Sequence, residues 1–305
     1  MIRTIFLTLS RQGWLRDWMQ NSPWAARFTS RFIAGRTLEQ ALAVCQKMQR
    51  EGARFTLDHL GENVSSTEEA IASRDHYLKA LAGIADSQLC SWGTVSVKLT
   101  QMGLDISDQL GEQNAAAVAE YAARLGARVE IDMESSSYVD RTLHVVFRLQ
   151  ERYGNVRAVI QSYLRRSEGD LQRLIQARVP VRLVKGAYDE PPSIAYRAKR
   201  QVDEAFSRQM RWLLESGEDP ALATHDERLI REAIAFAQQK AIPPTRFEFQ
   251  MLYGIRRDLQ RELVQRGFRL RVYVPYGDAW YPYFMRRLAE RPANVWFVLQ
   301  NLFRS

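Results

Sequence analysis

The sequence is poor in cysteine and has no long apolar segment. Its 305 residues include two cysteines, Cys45 and Cys90, whose spacing fits neither a disulfide framework nor a metal-binding motif. Such cysteine usage is typical of a reducing compartment. No stretch approaches the roughly 18 consecutive apolar residues that a membrane-spanning helix needs. We therefore expect a cytoplasmic protein with structural cysteines and no transmembrane segment.

The common nucleotide and metal motifs are also missing. The sequence contains no GxGxxG pattern and no P-loop, which argues against a Rossmann dinucleotide site and against Walker-type nucleotide chemistry. A cofactor would then have to be held by other parts of the fold. His225 has no second histidine at metal-ligand spacing, so we predict no metal and interpret this residue as a structural histidine or a cofactor contact.

Acidic residues are outnumbered by basic ones. Lys and Arg total 43 against 35 for Asp and Glu, a difference of 8, and the isoelectric point is about 9.6. No helix-turn-helix, zinc-finger or RNA-recognition pattern accompanies this charge, so we expect no nucleic-acid binding. Part of the excess lies near the start, where Asp17 is the only acid before Glu39. This aromatic, basic stretch is predicted either to pack as helices on the main domain or to lie on a membrane surface; its composition also fits a transit peptide.

From residue 53 onward, apolar β-branched runs alternate with stretches of helical apolar spacing. The runs are ARFTLDHL, TVSVKLT, ARVEIDME, VRAVIQSYL, VRLVKGAY, ALATHD, RFEFQML and LRVYVPYG. Ser66 and Glu69 form a capping-box pattern at the start of the first intervening helix. The alternation predicts an α/β fold, a (β/α)₈ barrel over residues 53–305, preceded by a helical extension over residues 1–52.

Every predicted strand finishes in a polar or ionisable side chain. In chain order these residues are Asp58 and Glu62, Lys98, Asp132, Gln161, Arg182 with Lys185, Thr224 with His225, Gln250, and Tyr273 with Tyr276. Barrel active sites lie at this end of the strands. Lys98 and Lys185 stand in apolar runs, so each either extends its charge to water or meets a ligand.

A predicted helix near the C-terminus carries a cationic, aromatic face. Steps of three and four place Tyr283, Arg286, Arg287 and Glu290 on one side of the helix. One interpretation is an ordinary surface pair of Arg286 with Glu290. The other is that two guanidinium groups converge on the carboxylate of a ligand.

Taken together, these motifs resemble the proline dehydrogenase family. The stretches that carry the resemblance are VSVKLTQMG, EIDME, VIQSYLRR, VRLVKGAY, ATHD, FEFQMLYG, RVYVPYG and YPYFMRRLAERP, which occur in order, one per strand. The resemblance implies a distorted (β/α)₈ TIM barrel. It also implies FAD-dependent oxidation of L-proline to Δ1-pyrroline-5-carboxylate.

The resemblance assigns roles to matching positions. It implies that Arg286, Arg287 and Lys98 bind the proline carboxylate and that Glu290 orders the two arginines. The residues implied to wall the ring are Asp132, Ala187, Tyr188, Leu252, Tyr273 and Tyr283. The residues implied to hold the flavin are Gln161, Arg182, Val184, Lys185, Gly186, Ala187, Thr224, His225 and Gln250. A bulky Tyr273 is expected to favour proline over hydroxyproline, and Glu62 is a hypothetical gate that pairs with Arg286 in the empty site.

The resemblance also implies partners. Electrons would pass to a quinone-type acceptor, with peripheral contact at the inner face of the membrane through the basic extension or the final VWFVLQNLF stretch. A separate enzyme would take the pyrroline-5-carboxylate. Two other function classes stay open at this point. One is a barrel enzyme in which Lys98 or Lys185 forms a Schiff base with the carbonyl group of a carboxylate substrate, and the other is a basic module that binds membrane surfaces or nucleic acid.

Overall fold

Eight parallel strands close into a barrel. The computed structural model describes residues 31–61, 64–281 and 283. Each strand pairs with its neighbours in sequence, and the last strand pairs with the first. The strands are β1 Arg54–His59, β2 Gly93–Val97, β3 Arg128–Ile131, β4 Val156–Gln161, β5 Val181–Val184, β6 Ala221–Ala223, β7 Glu248–Leu252 and β8 Arg269–Tyr276. The predicted barrel is therefore confirmed.

A helix precedes the first strand, and a helix lies in each connection between successive strands. The helices are α1 Leu38–Arg50, α2 Thr67–Asp86, α3 Asp108–Arg124, α4 Val139–Tyr153, α5 Ser167–Gln176, α6 Lys199–Ser216, α7 Glu227–Gln239 and α8 Arg257–Gln265. Two short 3₁₀ turns, Ser136–Tyr138 and Pro244–Arg246, precede α4 and β7. Within the described ranges, no helix is long and apolar enough to cross a membrane.

The helix α1 belongs to the same hydrophobic core as the barrel. Its side chains Ala41 and Cys45 are fully buried among barrel residues. Just before α1, the Ala34 N–H donates to the Pro275 carbonyl of β8 at 2.9 Å. The division at residue 52 stays a prediction, and residues 1–30, with the predicted basic stretch, lie outside the described part of the chain.

The capping pattern at α2 forms in a shifted version. The Ser66 hydroxyl accepts from the Glu69 N–H at 3.2 Å, as the sequence predicts. The Glu69 carboxylate, however, accepts its short bonds from Ser65, at 2.7 Å from the backbone N–H and 2.9 Å from the hydroxyl. Ser65 and Ser66, the two residues before the helix, therefore both take part in capping its N-terminus.

Polar and apolar residues alternate along the strands although both sides are buried. In β3, Val129 and Ile131 pack in the hydrophobic core, while Glu130 between them is fully buried as well. The Gln250 amide of β7 lies 3.3 Å from the Glu130 carboxylate. Because β3 and β7 are not neighbours in the sheet, these side chains can meet only inside the barrel. In β3 the apolar residues therefore face the helices, and Glu130 points into the barrel.

The barrel interior contains a layer of paired charges. Arg157 is fully buried, and its guanidinium contacts Glu130 at 3.1 Å, Glu248 at 2.5 Å and Asp219 at 2.6 Å. Burial raises the pKa of Glu248, but the charges of Arg271 and Arg157 outweigh burial and hold that pKa well below its usual range. This barrel thus places ion pairs where branched apolar side chains are the common filling.

Candidate active site

A cluster of polar side chains surrounds Asp132 at the carboxyl ends of the strands. The Asp132 carboxylate accepts hydrogen bonds from the Ser96 hydroxyl at 2.6 Å and the Tyr273 hydroxyl at 2.8 Å. Lys98 Nζ lies 3.4 Å from the same carboxylate, and Arg182 forms an ion pair with it. The Asp132 cluster, which we define as these five residues, therefore joins β2, β3, β5 and β8 at the end of the barrel where active sites lie.

Lys98 is held between two carboxylates. Its ammonium lies 3.0 Å from Asp58, which is 1% exposed, and 3.4 Å from Asp132. Burial lowers the pKa of Lys98, but the charges of Asp58 and Asp132 outweigh burial, so this pKa is well above its usual value. Schiff-base formation requires a neutral amine. The environment therefore favours a fixed cation at Lys98 over a nucleophile.

Arg182 lies between the Asp132 cluster and the charged layer below it. Its guanidinium contacts Glu130 at 2.8 Å and pairs with Asp132, and its central carbon lies 5.3 Å from the ring centre of Tyr273. Arg182 is buried, with only 4% of its surface exposed, and yet its Nε–H has no acceptor among the described residues. A buried donor without an acceptor is unfavourable. The Nε–H of Arg182 would thus favour a ligand that brings a hydrogen-bond acceptor to it.

Tyr273 presents a phenol that keeps its proton. Burial and the charge of Asp132 raise the pKa of Tyr273 well above its ordinary value. For Asp132, burial raises the pKa, but the charges of Arg182 and Lys98 outweigh it, and the pKa is lowered. The cluster therefore holds an ionised carboxylate, two permanent cations and a neutral phenol side by side.

Two of the predicted flavin contacts, Lys185 and His225, form hydrogen bonds with residues of other elements. The Lys185 ammonium donates to Asp203 at 2.6 Å and to Asp226 at 2.9 Å, so two carboxylates already balance its charge. His225 Nε2 accepts from the backbone N–H of Leu252 at 2.8 Å. Because that nitrogen is an acceptor, a neutral His225 carries its proton on Nδ1 and can donate only from that side.

The polar strand-end residues Gln161, Thr224 and Gln250 are tied into the barrel. The Gln161 amide donates to the Glu134 carbonyl at 2.7 Å, and the Thr224 hydroxyl accepts from the Asp226 N–H at 3.1 Å. The Gln250 amide donates inward to the acids of the charged layer. These contacts fix the three side chains, and their role at the cofactor, which the family resemblance implies, stays a prediction.

The remaining predicted site residues differ in exposure. Tyr188 is 39% exposed and Ala187 is exposed beside it, whereas Val184 and Leu252 are half-buried. Tyr283 is buried and helical. The predicted residues Arg286, Arg287, Glu290 and Glu62 lie outside the described residues.

Gly186 has a conformation that few other residues can adopt. Its φ is +108°, and an added Cβ would lie 2.1 Å from Cδ1 of Tyr163. The ring of Tyr163 therefore occupies the space that a side chain at position 186 would need.

We expect Gly186→Ala to lower the free energy of unfolding by about 1–3 kcal/mol, because the left-handed backbone and the Tyr163 ring both oppose a Cβ. Denaturant titration measures this change. Gly169→Ala is the matched control: Gly169 lies within α5, and a Cβ there would meet nothing within 4 Å. It should raise stability by about 0.5–1 kcal/mol. Equal effects of the two substitutions would contradict the explanation.

Ser96 and Glu130, which contact Asp132 and Arg182 respectively, were not predicted from the sequence. Each stands two residues before a residue that was predicted, Lys98 in one case and Asp132 in the other. Since side chains two apart along a strand share one face, this spacing could have identified both. The signal is the alternation of polar with apolar residues in SVK and EID.

Comparison with known proteins identifies the family. The sequence profile described as proline dehydrogenase matches residues 41–300. Proline dehydrogenase 1 of Bacillus subtilis (strain 168) is 39% identical over 306 residues, covering 100% of both chains. The proline dehydrogenase of Deinococcus radiodurans is 37% identical, covering 100% of this chain and 99% of its own.

A solved structure shares the fold. The crystal structure of proline utilization A from Bdellovibrio bacteriovorus has a TM-score of 0.80 and 28% identity, covering 87% of this chain and 32% of that longer chain. The bifunctional protein PutA of Escherichia coli (strain K12) is 26% identical over 88% of this chain and 23% of its own length. The fold, the strand-end motifs and the full-length similarity agree, and the chain belongs to the proline dehydrogenase family.

Proposed function

We propose that this chain catalyses FAD-dependent oxidation of L-proline to Δ1-pyrroline-5-carboxylate and passes the electrons to a quinone-type acceptor. Family membership makes proline oxidation, the first step of proline catabolism, the activity of the chain. The observation that best supports the proposed mechanism is the Asp132 cluster, which gathers permanent cations and a phenol at the barrel mouth. A separate dehydrogenase would then consume the product.

The cofactor site is proposed from the residues around Arg182. The Arg182 Nε–H, buried and without an acceptor among the described residues, suits a ring that carries acceptor atoms. Gln161, Val184, Lys185 to Ala187, Thr224, His225 and Gln250 would hold the remainder of FAD. When bound, FAD supplies the acceptor for the hydride that leaves C5 of proline. The guanidinium of Arg182 would stabilise negative charge that develops beside it.

Substrate binding is proposed to depend on a carboxylate clamp. Lys98, fixed by two aspartates, would supply one cation, and Arg286 and Arg287 would supply the others. The three cations would orient the ring and bring C5 to the hydride acceptor, which reduces the entropic part of the barrier. Tyr273, a neutral phenol, and Tyr283 would wall the ring and exclude water.

The pH dependence follows from the substrate amine. Hydride can leave C5 only when the amine is neutral, and the amine of free proline is mostly protonated near neutral pH. The pKa values of Lys98 and Tyr273 are both held well above their usual ranges, so neither group loses its proton as the amine does. We therefore expect kcat/KM to rise as pH increases from about 6 to 9. A profile that is flat over this interval would contradict the proposal.

The decisive experiment is the visible spectrum of the purified protein. We expect a flavin band that L-proline bleaches in the absence of oxygen, and a quinone that restores it. Borohydride that trapped substrate on Lys98 or Lys185, in a protein without flavin, would instead support Schiff-base chemistry. Colourless protein with salt-sensitive binding to anionic vesicles and no proline oxidation would support the membrane-surface module.

A further inference from the structure

A buried carboxylate follows the exposed residues of the β5–α6 connection, residues 185–198. Ala187 and Tyr188 are exposed, but Glu190, two residues after Tyr188, is buried, with 7% of its surface exposed. Its carboxylate accepts from the Ser136 backbone N–H at 2.7 Å and from the Ser136 hydroxyl at 2.6 Å. Such short, charge-assisted bonds are among the stronger ones in proteins. Glu190 therefore ties this connection to the one that follows β3.

Ser136 begins the helical segment that continues into α4. Neither Ser135, before the 3₁₀ turn, nor Tyr138, before α4, caps the segment with its own side chain. Carboxylates are favourable at helix N-termini because they accept from the first N–H groups and complement the helix dipole. Glu190 thus acts as the cap of this helix from 54 residues away.

The same connection is fastened at its two ends to the β4–α5 connection. At its start, the Lys185 carbonyl accepts from the Tyr163 N–H at 2.9 Å. At its end, Leu164 and Ala195 form an antiparallel bridge, and the Tyr196 N–H donates to the Tyr163 carbonyl at 2.8 Å. Glu190 lies between these anchors and bonds to Ser136, in the segment that precedes α4.

We propose that Glu190 is a positioning residue that holds Ala187 and Tyr188 in the conformation that binds proline. This inference rests on the proposed function and on the family resemblance, which implies that Ala187 and Tyr188 wall the substrate ring. It concerns binding and not the chemical step, because Glu190 contacts Ser136 and not a member of the Asp132 cluster. Loss of the contact should lower the fraction of molecules with the binding conformation, and apparent affinity falls in proportion to that fraction.

The first test is Glu190→Ala in the full-length, flavin-loaded protein. We expect KM for proline to rise about tenfold, with kcat changed by less than about twofold. Amide hydrogen exchange over residues 187–189 should become faster. Glu190→Gln should recover part of the loss, because its amide oxygen can still accept from the Ser136 N–H.

Ser66→Ala is the matched control. It removes the ordinary N-cap of α2 and should lower thermal stability to a similar degree while leaving KM for proline unchanged. If Ser66→Ala raises KM as much as Glu190→Ala, the effect is general destabilisation and the inference is wrong.

A second variant breaks the contact from the other side. Ser136→Pro removes both donors to Glu190, and proline is well tolerated at the first position of a helix. The preceding Ser135 already has the extended backbone that a following proline requires, with φ −64° and ψ 164°. We expect the same rise in KM and the same faster exchange as in Glu190→Ala.

The outcomes separate the inference from the proposed function. Unchanged exchange over residues 187–189 in both Glu190→Ala and Ser136→Pro would overturn the positioning role, whatever the protein oxidises. Faster exchange with an unchanged KM would also overturn it. Failure of the wild-type protein to oxidise proline would refute the proposed function itself.

Discussion

Replacement of Arg157 by methionine is expected to lower the free energy of unfolding by about 3–5 kcal/mol. Arg157 is fully buried, and its guanidinium is shared by Glu130, Glu248 and Asp219. Methionine has a similar length but no charge, so the buried Glu130 and Glu248 and the half-buried Asp219 would lose a common partner. Removal of one partner of a buried ion pair is strongly unfavourable because the other charge stays uncompensated.

Urea denaturation of the wild type and the variant measures this difference. Arg124→Met is the matched control, since Arg124 is 67% exposed and pairs with Glu120 along α3. The control should change stability by less than about 0.5 kcal/mol. A loss below about 1 kcal/mol in Arg157→Met would contradict an essential role for the charged layer.

The pH dependence of the Arg157 effect has a definite sign. Burial raises the pKa of Asp219, but the charges of Arg157 and Arg128 outweigh burial, and the pKa falls to about 2; that of Glu248 is also lowered. Carboxylates with lowered pKa values stabilise the fold above their unfolded pKa, and this contribution is lost as pH falls through the folded pKa. The difference between wild type and Arg157→Met should therefore be largest near neutral pH and shrink in acid.

The barrel could be predicted from sequence, but its charged interior could not. The strand runs and helical spacings depend on local periodicity, which a single sequence displays. Arg157 and Glu248 also stand in these runs, yet each alone is compatible with a surface position. Their pairing joins residues 91 apart in sequence, and it exists only because the sheet closes. No local pattern specifies such a contact.

In the candidate site, too, some residues could be predicted from the sequence and others could not. Lys98 and Asp132 could be singled out because ionisable residues are unusual inside apolar strand runs. The two carboxylates that balance Lys185 come from α6 and from the residue before α7, and the Glu190 contact joins two connections. Side-chain geometry in loops follows from packing of the whole domain, so no local pattern predicts these bonds.

Asp132→Asn is expected to reduce kcat/KM for proline by about 10²-fold or more, which corresponds to about 3 kcal/mol of lost transition-state stabilisation. Asp132 is the common partner of Lys98 and Arg182 and accepts from the Tyr273 hydroxyl at 2.8 Å. An amide keeps the shape but removes the negative charge that holds two cations near each other. Lys98 and Arg182 would then repel, and Tyr273 would lose a charged acceptor.

Steady-state kinetics with proline, together with flavin absorbance of the purified variant, measure this effect. Asp140→Asn is the matched control, because Asp140 is 77% exposed and pairs with Arg166 at the start of α4; we expect its kcat/KM to stay within about twofold of wild type. If Asp132→Asn retains flavin and loses less than about threefold in kcat/KM, then Lys98, Arg182 and Tyr273 keep their positions without the charge of Asp132. The cluster would in that case be held by its surroundings, and the charged layer beneath Arg182, through Glu130, would be the element that orders the barrel mouth.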